Sequence, residues 1–70
     1  MEEKIYYVEW RYFKSPNIER EIIRTSWSPV SIIRTIDSDF DDPIVYLYFE
    51  DITNQPIEDF EEKVRAGYEL

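Results

Sequence analysis

Positions 5–13 (IYYVEWRYF) alternate with a period of two: Tyr6, Val8, Trp10 and Tyr12 on one side, Ile5, Tyr7, Glu9, Arg11 and Phe13 on the other. Successive side chains of an extended chain point to opposite faces, so this stretch predicts a strand, with Glu9 and Arg11 marking its wetter face. Lys14-Ser15-Pro16-Asn17 is turn chemistry and predicts a reversal. Positions 18–27 then return as a second strand. Ile23, Thr25 and Trp27 share its inner face, and Arg20, Ile22, Arg24 and Ser26 its outer one. Ile18 and Ile22 also fit a helical spacing, but the β-branched and aromatic content favours the strand.

Ser28 followed by Pro29 is a helix start, with a hydroxyl to cap the first turn and a proline whose missing N–H costs nothing there. Val30, Ile33 and Ile36 recur every three residues behind it. Five of the seven residues from 30 to 36 are β-branched, and Ile-Ile-Arg-Thr occurs at both 22–25 and 32–35, which argues for two paired strands instead. The position-specific cap outweighs the weak propensity, and a short helix at 29–36 is favoured. Positions 37–43 (DSDFDDP) read as a loop. Positions 44–49 are apolar on both sides, the pattern of a central strand covered on each face or of one lying under a helix, and predict a third strand over 44–50. Helix signals gather from Pro56: Thr53 or Asn54 as a cap, Glu58 and Asp59 in the first turn, Lys63 and Arg65 in the last, Gly67 as a stop. Ile57, Phe60 and Val64 make its apolar stripe. Asp59 with Lys63 and Glu61 with Arg65 are correctly ordered charge pairs.

The predicted fold is one small α+β domain over residues 1–70. An N-terminal β-hairpin and the strand at 44–50 form an antiparallel or mixed sheet. A C-terminal helix (56–66) and the short helix at 29–36 pack on one face of it.

Composition supports a folded chain. Seventy residues lie near the lower limit for a domain without staples, but 17% aromatic residues supply large apolar area from few positions. The absence of cysteine leaves no disulfide, and cytoplasmic location is the default expectation. No apolar run approaches the roughly 20 residues that span a bilayer.

Charge changes the picture more. Residues 1–36 hold five acids against six bases, a net of +1; residues 37–70 hold eleven acids against two bases, a net of −9. Such a surface repels nucleic acid and anionic membrane and attracts basic surfaces. With neither histidine nor cysteine there is no imidazole base, no thiolate and no ordinary zinc site. One glycine in the chain rules out a Gly-rich phosphate loop, and no spacing singles out a catalytic carboxylate pair. A non-enzymatic protein without cofactor or metal is expected.

Asp37, Asp39 and Asp41 alternate as the first ligands of a calcium loop do, but position 6 of that loop falls on Asp42 instead of Gly and position 12 on Tyr48 instead of Glu. The stretch reads better as an acidic loop or a protein contact. Phe40, set among four acids, is either a core plug or an exposed anchor, and the solubility cost of a bare Phe favours the plug. Glu50 and Asp51 precede the last helix, and Glu58, Asp59, Glu61 and Glu62 line it. Together with Asp37, Asp39, Phe40, Asp41 and Asp42 they are the candidate partner-binding residues. The bland reading of these acids is a solvated face; the sharper one is a surface imitating the phosphate spacing of nucleic acid. The aromatic row (Tyr6, Tyr7, Trp10, Tyr12, Phe13, Trp27, Tyr46, Tyr48) reads mainly as core.

The expected function is inhibition or regulation of a basic partner, in particular a nucleic-acid-binding protein. In size and composition the chain looks like the short, acidic, cysteine-free inhibitors of phages and mobile elements, including nucleic-acid mimics, although no family motif supports the likeness. The competing expectation is a structural or adaptor domain, homodimeric through an aromatic sheet face.

Overall fold

The computed structural model describes residues 2–68. Five elements follow one another: β1 (Lys4–Tyr12), β2 (Glu19–Thr25), α1 (Pro29–Ile36), β3 (Ile44–Asp51) and α2 (Ile57–Tyr68). The sheet is antiparallel throughout, in the order β2-β1-β3. The α+β architecture, the hairpin, the third strand and both helices agree with the sequence reading.

β1 is the central strand, and its alternation builds two cores. Tyr6, Val8 and Trp10 are buried with Ile32 of α1, and Tyr12, Ile23, Ile36, Ile44 and Phe49 pack around them. Tyr7 is buried with Ile52 and with Phe60 of α2, flanked by Ile5, Ile22, Ile57 and Val64. The helices therefore meet opposite faces of β1, where the sequence reading placed both on one face. The reason lies in β1 itself: both of its side-chain rows carry large apolar groups at the Ile5–Val8 end, and each row needs its own cover.

The cap that decided α1 is in place. Ser28 is extended (φ −72°, ψ 155°), its Oγ accepts from the Ser31 N–H at 3.3 Å, and Pro29 opens the helix. α1 ends where the Asp37 N–H donates to the Ile33 carbonyl at 2.8 Å and the Tyr12 hydroxyl donates to the Ile36 carbonyl at 3.1 Å. α2 uses the expected stripe of Ile57, Phe60 and Val64, but it continues through Gly67 to Tyr68 instead of stopping there.

Two further expectations are corrected. Trp27 is 59% exposed and lies beyond the end of β2, in a bend closed by its N–H to Thr25 Oγ1. β3 is an edge strand: Val45, Tyr46, Leu47 and Tyr48 are all exposed. An apolar run is ambiguous between a strand covered on both sides and one that waits for a cover, and β1, not β3, took the central place. Among the described residues, no helix is long and apolar enough to cross a membrane.

Candidate partner-binding surface

The loop between α1 and β3 is built by its own acids. Asp37 Oδ1 accepts the Ile44 N–H, which starts β3. Asp39 closes a tight turn: its carbonyl accepts the Asp42 N–H at 3.2 Å and its Oδ1 accepts the Asp41 N–H at 2.9 Å. Aspartate at the first position of such a turn has this role generally. Asp42 Oδ1 reaches across to the Lys14 N–H at 2.8 Å, beside a backbone bond from the Phe13 N–H to the Pro43 carbonyl, also 2.8 Å. The loop is thus tied to the β1–β2 turn. Phe40 sits at the corner of the Asp39 turn, where its side chain points away from everything tied down, and it is 101% exposed. The plug expectation fails for this reason.

Glu50 and Asp51 lie at the far end of β3, about 23 Å from its start at ~3.3 Å per residue. Glu50 accepts from the Tyr48 hydroxyl and from Gln55 Nε2 at 3.0 Å; those bonds, with the nearby Lys63 charge, hold its carboxyl below the usual range. Asp51 accepts from both the N–H and the hydroxyl of Thr53, which lowers its carboxyl, and Lys4 stands 3.8 Å away. Thr53 Oγ1 accepts from the Ile5 N–H, so this residue fastens the strand end instead of capping α2.

On α2, Glu58, Asp59, Glu61 and Glu62 are all exposed. With Ile57, Phe60 and Val64 turned inward, helical spacing places Glu58, Asp59 and Glu62 on the outer side and Glu61 toward Glu21 and Arg24 of β2. Among the described residues neither Asp59–Lys63 nor Glu61–Arg65 closes as an ion pair. Lys63 lies instead over the rings of Tyr7 and Phe60, 5.7 and 5.1 Å from their centres. The eleven candidate residues therefore fall into three groups, one at each end of β3 and one along α2, where Glu61 stands apart from the outward Glu58, Asp59 and Glu62. No three carboxylates among the described residues converge as they would around a metal ion.

The sequence reading missed a polar knot on the α2 side of the sheet. Glu9 Oε2 accepts from the Tyr7 hydroxyl and from Arg20 Nε at 3.3 Å, and its Oε1 accepts from the Tyr46 hydroxyl at 3.0 Å. The register explains the meeting: Glu9 is directly opposite Arg20 on β2, and Tyr46, paired with Arg11, is its diagonal neighbour on the same face of β3. A lone acid in an aromatic strand was the available signal. Burial pushes the Glu9 carboxyl up, but the bonds from Tyr7, Tyr46 and Arg20 outweigh it and the net shift is downward from 4.5. Burial and the Glu9 bond raise the Tyr7 phenol; the Glu9 bond chiefly raises Tyr46.

The pH consequence has a defined sign at each end. A depressed carboxyl favours the folded state above its unfolded value, so the Glu9 contribution is lost as pH falls below 4.5 through the lower folded value. A raised phenol favours the folded state below 10, and that contribution is lost as pH climbs above it. Urea midpoints measured across pH should fall on both sides. Glu9→Gln, whose amide cannot match a carboxylate facing three donors, should cost about 1–3 kcal/mol at neutral pH and flatten the acid limb. An unchanged acid limb in that variant would remove Glu9 from the explanation.

Comparison with protein-family models, with curated proteins and with solved structures finds no match to this chain.

Proposed function

We propose that this is a small acidic protein-binding module that engages a basic partner, of the nucleic-acid-binding class, and inhibits or regulates it by covering its basic surface. The observation that carries this reading is Phe40, fully exposed at the corner of a turn and set among Asp37, Asp39, Asp41 and Asp42. An aromatic anchor inside a charged, solvated rim is the arrangement of interface hot spots. The net charge of −8 supports it, since an acidic field speeds encounter with a basic surface. In this reading the acids of α2, which stand apart from the loop, act at long range, and the loop makes contact. Mimicry of nucleic acid is the finer form of the same proposal, with the three acidic groups standing in for phosphates along a basic groove. The cytoplasm, where a cysteine-free chain is at no disadvantage, is the proposed site of action.

The test is capture of partners on the immobilised protein, eluted with a rising salt ramp. A DNA- or RNA-binding protein should elute at moderate salt, because screening weakens exposed charge pairs. The variant carrying Asp39→Asn, Asp41→Asn, Glu58→Gln and Glu62→Gln should release it at lower salt or fail to hold it. A partner retained equally by that variant, or held unchanged at high salt, would overturn the reading.

A further inference from the structure

The two edges of this sheet are treated differently. β2 carries Glu19, Arg20, Glu21 and Arg24, and α2 packs against it through Ile57 and Val64 on Ile22. Charges and a covering helix are the usual means by which proteins keep a strand edge from pairing. β3 has neither. From Ile44 to Phe49 it holds no charge, and among the described residues it pairs only with β1. Val45, Tyr46, Leu47 and Tyr48 are 47, 39, 39 and 44% exposed. Beside it, a shallow groove lined by Ile33, Asp37, Ile44, Val45, Tyr46 and Leu47 opens between α1 and the strand.

We propose that the outer edge of β3 receives an extended segment of the basic partner as a fourth strand, with apolar residues in the middle of that segment and Lys or Arg at both ends. This rests on the reading of the protein as a binder of basic proteins, and names the mode of contact. The charge distribution selects the occupant. Acids flank β3 at both ends: Asp37, Asp39, Asp41 and Asp42 before it, Glu50 and Asp51 at its close. A second copy pairing edge to edge would bring acids against acids in either orientation, between chains of −8 each. A segment with basic ends finds opposite charges at both ends, whichever way it runs. Backbone bonds supply the attachment, and side chains alternating into the groove beside Leu47 supply selection.

The probe is a peptide of alternating Val and Thr with Lys-Arg at each end, and the control has Glu-Glu in those places. With the basic peptide, amide hydrogen exchange of the full chain should slow about tenfold or more at alternate positions of β3, with β2 unchanged. The acidic peptide should produce no protection. Leu47→Lys should weaken the basic peptide about tenfold or more while retaining the far-UV spectrum of the parent. Absence of binding at low salt, or protection appearing on β2 or α2 instead, would overturn the proposal. Dimerisation of the protein alone, with β3 protected, would also overturn it by naming a second copy as the occupant. The two readings fail separately. A partner captured in an acid-dependent way with β3 unprotected sinks only the strand mode. Protection of β3 by the peptide, with no basic partner captured, sinks only the regulatory role.

Discussion

Tyr7→Ala should abolish the cooperative unfolding transition of this domain. Tyr7 lies in the middle of the central strand at 1% exposure, and its ring is a common neighbour of two layers. It meets Phe60 of α2 at 5.2 Å between centres and Tyr48 of β3 edge-on at 6.2 Å, lies under Lys63, and its hydroxyl serves Glu9. Truncating a buried aromatic costs about 3–5 kcal/mol. At roughly 0.05–0.15 kcal/mol per residue, a chain of this length has about 3.5–10 kcal/mol in total. The loss falls on the core that holds α2, and leaves Glu9 short of a donor as well. Urea titration followed by far-UV circular dichroism should show a shallow, non-cooperative change for Tyr7→Ala. Tyr7→Phe, which keeps the ring, should remain cooperative and lose about 1–2 kcal/mol. A Tyr7→Ala midpoint close to the parent would mean that the second core does not hold α2 in place.

Phe40→Ala is the opposite experiment. The side chain touches little of its own domain, so the substitution should move stability by no more than about 0.5 kcal/mol. If Phe40 is the anchor of the proposed interface, the same change should weaken the captured partner by about 2 kcal/mol, or about 30-fold in Kd. Calorimetric titration of parent and variant with that partner gives the number directly. Loss of binding without loss of stability would assign Phe40 to recognition. Unchanged binding would move the contact away from the loop, and a destabilised variant would contradict its full exposure.

These two aromatic residues also show how far the chain could be read in advance. Tyr7 was legible as part of a strand because alternation is a local signal carried by adjacent positions. The cap of α1 was legible for the same reason: Ser28 and Pro29 act on groups within one helical turn. So were the stripe of Ile57, Phe60 and Val64 and the turn residues that end β1. The acidic character of the second half, and the exclusion of thiol or imidazole chemistry, are properties of composition and need no coordinates.

Which strand sits in the centre was decided by tertiary structure. β1 and β3 are both rich in apolar side chains, and local pattern cannot say which will have a neighbour on each edge. The same holds for the helices, each of which could cover either face until the sheet order fixed where the uncovered rows lay. The expectation that Phe40 plugs the core fails for a related reason. The surroundings of Phe40 depend on Lys14, 26 positions earlier, whose N–H holds Asp42 and ties the loop to the β1–β2 turn. The Glu9 knot joins residues from three strands, and the bare edge of β3 exists only because β2 lies on the other side of β1. Local chemistry therefore set the elements and the charge. Long-range pairing set what is exposed, because exposure at any residue depends on neighbours that the chain brings from elsewhere.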